Sequence, residues 1–387
     1  MQNNNVSLGK RLTLLLCGVC TVASGALIAP ILPEIANLTG SEKLAPYAML
    51  LPNLAMMIFA PFIGQLLDKY GRLAFMRVGL LGYALLGASG YVMVDNIYYL
   101  LGLRFAFGIF TALNMTAIST LVADYFKDDP QGRAQFSGYQ GTFASLSAVV
   151  VIQLGTFVAA YDFKNTFLMY FVAIFFLILT YLFLTEPVRG VGNSIELKDT
   201  NTKEKVLTKD VLLILLTLGL GMAVYYAAMV YTPFVMSKFG ASASSTGIAI
   251  NLLTALSALS AFFYGKLKAN KSFDFIYMTS FGLIFIGYAL MGMSTNIVTL
   301  FIGCAVSGLG VGLLMPNSAV RLMSTVSPSI MGTAMGILIA TVFGGNFSAG
   351  LLAAPIIPSL GYEGVFIVFG VIAALIASFY GIKNVKS

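Results

Sequence analysis

The chain is expected to be an all-α membrane protein with twelve transmembrane helices in two pseudo-symmetric six-helix bundles, and three observations lead there. Charged residues make up only 10% of the 387 and hydrophobic residues 58%, with a mean hydropathy of +0.90, a balance that no water-soluble domain of this length carries on its surface. Apolar runs of about 20 residues, enough to cross a hydrocarbon core, recur along the whole length. Lys and Arg gather in alternate loops between those runs, as orientation in a membrane requires.

The first run, roughly 10–36, follows Lys10 and Arg11 and contains the small residues Ala23 to Ala26, which is also the pattern of a secretory leader. It continues past Pro30 and Pro33, and its tail is repeated later in the chain, so it is read as the first helix. Runs at roughly 44–67, 73–94, 97–123, 133–159 and 165–185 complete the first half. The only long polar stretch, Thr185 to Asp210, follows and holds Lys198, Lys203, Lys205 and Lys209. It reads as a cytoplasmic linker, 189–208, between bundles at 1–188 and 209–387. Runs at roughly 209–236, 244–266, 273–294, 296–324, 331–357 and 362–382 make the second half.

With both termini in the cytoplasm, every Lys and Arg lies inside except Lys43, Lys164, Lys238 and the mid-span Arg104. That bias sets the expected orientation and an even number of spans in a cell's inner membrane. An offset near 200 relates the halves. Pro33 to Gly40 repeats as Pro233 to Gly240, Gly64-Gln65-Leu66 as Gly265-Lys266-Leu267, Gly108 as Gly308, and Gly132-Arg133-Ala134 as Gly332-Thr333-Ala334. Six spans in each half, an even number, make the repeats parallel.

Composition also excludes. His is absent, which removes imidazole proton relays, His metal sites and Ser-His-Asp chemistry, so no catalytic and no metal residues are expected. Cys17, Cys20 and Cys304 are an odd set inside apolar runs, without disulfide or zinc spacing. No G-x-x-x-x-G-K-[ST] occurs, so ATP does not drive the protein directly; no cofactor is expected, and the energy is expected to come from an ion gradient, the proton gradient first, or from the solute itself. The net charge of +7 belongs to loop topology and not to a nucleic-acid partner. The glycines Gly308, Gly310 and Gly312 fall inside a span with no preceding strand, which points to helix packing and not to a nucleotide.

The loop after the second run reads Gly64-Gln65-Leu66-Leu67-Asp68-Lys69-Tyr70-Gly71-Arg72. It resembles the signature cytoplasmic loop of the major facilitator superfamily, G-x-L-a-D-r-x-G-r-k, with Leu73 at the last basic position. The fourth run carries Leu100-x-x-x-Arg104-x-x-x-Gly108-x-x-x-Ala112, similar to the family's second motif with Phe107 where Gln is usual. The resemblance implies the major facilitator fold, a monomer, and gating through Gly64, Asp68, Gly71 and Arg72 with Asp124 and Arg133 as partners. It further implies that Arg104 serves proton coupling or substrate binding; a charge at mid-span must in any case face the bundle or a wet cavity. Gly108, Ala112, Gly308 and Gly312 are expected to pack helices.

Within the family the short loops and the Pro-x-Leu-Pro-Glu-Ile string of residues 30–35 look most like the drug:proton antiporter and small-metabolite exporter group. The fifth run departs from it, having no Pro and so no Gly-Pro antiporter motif. Spans one, four, seven and ten are expected, by analogy, to wall a cavity offering Asn114, Tyr225, Tyr226, Tyr231 and Asn317 besides Arg104. Such walls suit an amphiphilic organic solute, anionic if Arg104 faces it. Glu34, near the outer end of the first span and expected to be exposed, is the candidate proton carrier beside Asp124. Export of a small solute by proton antiport is the leading expectation; proton-coupled or facilitated uptake and, from another class, a channel or membrane receptor stay open.

Overall fold

The computed structural model describes residues 6–127, 129–187, 207–327 and 330–386. Among them there is no strand, and twelve helices are long and apolar enough to cross a membrane. They are α1 (Leu8–Thr39), α2 (Tyr47–Tyr70), α3 (Arg72–Met93), α4 (Ile97–Tyr125), α5 (Pro130–Ala159) and α6 (Asn165–Phe183), then α7 (Lys209–Lys238), α8 (Ala243–Asn270), α9 (Phe273–Gly292), α10 (Ile297–Thr325), α11 (Met331–Ala353) and α12 (Ile357–Lys386). The expected linker lies outside the described residues except for Leu207 and Thr208.

Short polar residues set most helix starts by accepting from exposed backbone N–H groups. Ser7, Asn96, Asp129, Thr208, Ser242, Ser272 and Asn296 all cap in this way. Proline and glycine set the differences from the expected ends. α11 stops at Ala353 and not near 357 because Pro355 follows, and α12 starts early and turns at Gly361, whose φ is 67°.

The repeat has a structural basis. Gly40 and Gly240 end α1 and α7 with φ of 62° and 67°, a left-handed conformation that favours glycine. Asn96 and Asn296 cap α4 and α10. A Cβ on Gly108 would lie 2.6 Å from the backbone of Pro52 in α2, and one on Gly308 would run into the backbone oxygen of Leu253 in α8. Both halves thus bring their fourth and second helices together through the same missing side chain.

The two halves, α1–α6 and α7–α12, meet mainly near the ends of the helices remote from the termini, here the far side. There α5 packs on α8 and α2 on α11. A Cβ on Gly247 would meet Thr156, and one on Gly350 would meet Leu50. Toward the termini side the same helices lose cover. Among the described residues, α5 buries Phe136 and then nothing before Ala148, and α8 buries only Tyr264 after Leu253. The halves are sealed together on the far side and splayed on the termini side.

Candidate functional site

The gap between the halves ends against a buried polar seam. Asn53 of α2 donates to the Tyr226 hydroxyl of α7 at 2.8 Å and to the Met49 carbonyl at 3.1 Å. Tyr226 donates to Met49 O at 3.2 Å, and Asn346 of α11 donates to Asn53 Oδ1 at 3.0 Å. Room for the Tyr226 hydroxyl comes from Gly25 of α1, where a Cβ would stand 3.0 Å from it. Asn251 of α8 reaches Gln153 of α5 at 3.2 Å. These groups carry no charge. Because Tyr226 holds two hydrogen bonds across the seam, Tyr226→Phe is expected to shift the balance toward far-side opening by roughly fivefold, at about 1 kcal/mol lost. Spin-label distances between far-side loops of α1–α2 and α7–α8 check this.

Arg104 belongs to a different arrangement. Pro52 has no N–H, so the Ala48 carbonyl one turn earlier in α2 lacks its helical donor. In α1 the chain tightens before Pro30: Leu27 N bonds Ala23 O and Ile28 N bonds Gly25 O, which passes over the Ser24 carbonyl. Arg104 supplies what both lack, its Nε donating to Ala48 O at 2.7 Å and its Nη2 to Ser24 O at 2.5 Å. Tyr170 of α6 donates to Ser24 O at 3.1 Å and accepts from Arg104 Nη1 at 3.3 Å. The guanidinium lies 4.5 Å from the ring centre of Phe107, and Phe107, Tyr170 and Tyr83 enclose it with ring centres 4.6 to 5.4 Å apart. Arg104 is 2% exposed and all these partners lie in its own half. The equivalent place in the second half is the neutral Cys304.

Several expected wall residues also turn inward. Asn114 donates to Cys17 O at 3.0 Å, joining α4 to α1. Asn317 accepts from Tyr264 at 3.4 Å and donates to Phe273 O at 3.1 Å, inside the second half. Tyr231 is buried against Tyr362. Tyr225 is half-buried and pairs with Thr254 of α8. Of the expected cavity groups, Tyr226 stands on the seam itself.

On the termini side Arg72 Nε meets Asp124 Oδ2 at 2.7 Å. Gly71, at φ 112°, makes the turn between α2 and α3. Glu186, not foreseen, accepts from Arg72 N at 2.8 Å and Leu73 N at 2.9 Å, putting a carboxylate at the start of α3 where the helix dipole favours one. Asp68 lies on α2, its side chain outside the described residues, and Gly64 has open space beside it. Arg133 is exposed and pairs with no acid among the described side chains. In the second half the charges are exchanged: Asp274 starts α9 and meets Arg321 near the end of α10 at 2.6 Å.

Glu34, expected to be exposed, is partly covered, because the break in α1 folds its short last helix, Leu32–Thr39, back against α7. Its Oε2 is enclosed with no hydrogen-bond partner among the described residues.

The residues that sequence reasoning missed are Asn53, Asn346, Gln153 and Asn251. Each is an amide with apolar neighbours, and Asn53, just after Pro52, carried the clearest signal.

Comparison with known proteins places this arrangement. The Major Facilitator Superfamily model matches residues 14–278 and 235–385. Multidrug resistance protein 1 of Bacillus subtilis is 28% identical over 263 residues, covering 65% of this chain and 64% of that protein. Multi-drug resistance efflux pump PmrA of Streptococcus pneumoniae is 36% identical over 120 residues, covering 30% and 29%. The chain therefore spans less than two thirds of the length of either relative. Among solved structures, a D-xylose-proton symporter superposes with a TM-score of 0.79 at 13% identity, covering 97% of both chains. A bacterial homologue of the human lysosomal transporter Spinster, inward-facing and occupied, gives 0.77 at 16% identity, again covering 97% of both. The chain belongs to the Major Facilitator Superfamily and is a multi-pass membrane transporter.

Proposed function

We propose that this transporter exports a small amphipathic organic solute by alternating access, exchanging it for protons. The observation that carries the reading is the asymmetry of the two sides: a neutral hydrogen-bonded seam closes the far side while the termini side is splayed, which is one of the two end states that a rocking carrier visits. The two relatives named for multidrug resistance support outward movement of drug-like compounds. In this reading both termini are cytoplasmic, the membrane is the cell's inner membrane, and a single chain suffices.

Three of the five N–H donors of Arg104 are held by carbonyls and by Tyr170, and the side chain is buried within its own half, so the preference for an anionic solute loses its basis. The seam offers amides and a phenol instead, which suits an uncharged or weakly charged solute with hydrogen-bonding groups. Glu34 is assigned the proton. Glu363, within the far end of α12, is tied to Lys238 at 2.6 Å and Asp95, just before α4, to Lys164 at 2.7 Å, whereas Glu34 Oε2 has no hydrogen-bond partner among the described residues.

An untargeted comparison of small molecules inside and outside cells with and without the protein tests direction and substrate together. A compound retained inside without the protein and released with it supports export. Depletion of a compound from the medium only when the protein is present replaces export with uptake, the reading favoured by the missing Gly-Pro motif in α5. For coupling, Glu34→Gln in vesicles is expected to lose uphill transport driven by a pH gradient while downhill equilibration persists. Full uphill transport by Glu34→Gln removes the assignment.

A further inference from the structure

A groove of about 300 Å³ opens on the outer face of the second half between α7 and α12. Leu213, Leu216 and Leu220 form one wall, and Leu375 and Phe379 the other. Leu216 is 56% and Leu375 66% exposed, and α12 packs chiefly on α9 and α7 of its own half, so the walls face outward and not into the gap between the halves. The polar atoms at its floor, Thr217 Oγ1 and Tyr380 Oη, bond to each other at 2.7 Å. A polar solute would find no free partner on that floor, whereas a hydrocarbon chain needs none.

The ends of the two walls nearest the termini are basic. Helical spacing puts Lys209 one turn before Leu213 and Lys383 one turn after Phe379, each in line with its wall. Lys209 is exposed. Lys383 Nζ is 3.9 Å from Asp274 Oδ2, but the other oxygen of that carboxylate is held by Arg321 at 2.6 Å. Arg321 itself lies 5.9 Å from the ring centre of Tyr380. Asp210 follows Lys209, turned about 100° from it around the helix. The mouth thus gathers three cations against two acids, at the level where a helix leaves the membrane.

We propose that this groove is a binding site for an anionic phospholipid of the termini-side leaflet, one acyl chain lying between the leucine walls and the phosphate between Lys209 and Lys383. A lipid held there braces α7, the helix that carries Tyr226 to the seam. The site is separate from the solute pathway and does not depend on what the protein transports.

The chain contains no Trp, so Phe379→Trp introduces a single indole at the groove. The full-length variant is reconstituted in phosphatidylcholine, and its fluorescence is quenched with dibrominated phosphatidylglycerol or dibrominated phosphatidylcholine. The anionic lipid is expected to quench at a mole fraction about 25-fold lower. Lys209→Gln with Lys383→Gln in the same background is expected to merge the two curves, at roughly fivefold per lysine. Phe175→Trp, on the outward face of α6, is expected to show no preference. Leu375→Trp replaces Phe379→Trp if the latter does not fold. Equal quenching by both lipids, a preference that survives loss of both lysines, or a groove indole that neither lipid quenches would each overturn the proposal.

Discussion

Gly312→Leu is expected to yield little or no folded monomer. A Cβ at this position would run into the backbone oxygen of Ser257 and the Ser260 hydroxyl on α8. Overpacking usually costs about 1–3 kcal/mol because side chains move aside. Here the obstacle is mainly main chain, so α8 and α10 must separate along their length, and the loss belongs at or above that upper end. Gly308, one turn earlier, meets Leu253 O in the same seam, so no neighbouring gap is free to absorb the shift. Gly282→Leu on α9, with nothing within 4 Å of its Cβ position, is the control and should leave the melting temperature nearly unchanged. Size-exclusion profiles and thermal melts in detergent check both variants, and a monodisperse Gly312→Leu with native melting would refute the packing account.

Arg104→Leu is expected to lower thermal stability by about 3 kcal/mol and to abolish most transport. Charged hydrogen bonds contribute about 1.5–3 kcal/mol each, and three are lost. Relief from holding a charge in an apolar interior offsets part of that. The main penalty is the Ala48 carbonyl, stranded in a membrane interior by Pro52 without a donor. Arg104→Lys keeps the charge but cannot reach three diverging acceptors as the planar fork does, so it should fall between. The decisive measurement is the double variant: Pro52→Ala restores an N–H beneath Ala48 O and should recover about 1 kcal/mol in the Arg104→Leu background. Purely additive effects would mean that Arg104 is not there to serve the Pro52 break.

Twelve spans and the repeat were legible because hydrophobic length and loop charge are local properties of the chain, whereas the junction of the last two helices was misplaced because Pro355 and Gly361 set it. Gly40 with Gly240 and Gly108 with Gly308 were legible as pairs at one offset, and the structure adds their reasons, a left-handed turn in one case and a close crossing in the other. The Arg72 and Asp124 pairing was within reach of the motif resemblance, whereas its companion Glu186 was not, since nothing in Thr185-Glu186-Pro187 indicates that the chain end of α6 returns to the start of α3. Asn114 and Asn317 looked like cavity groups because a polar residue in a span is easy to see, while the direction it faces depends on which neighbour lacks a partner. The same limit hid Asn53 and Asn346, whose partners are 173 and 293 residues away.

The confinement of Arg104 to one half has an electrical consequence. Displacing a full charge through the membrane field is worth about 2.3 kcal/mol per 100 mV, and a gating arginine that changed partners between halves would make turnover strongly voltage-dependent. Arg104 instead rides with Ser24, Ala48 and Tyr170 as one body, and the seam that opens is built of neutral amides and a phenol. With Glu34 protonated, the solute-free carrier should therefore reorient with little charge movement, giving small capacitive transients on a solid-supported membrane, and any current during turnover should report the coupled ion.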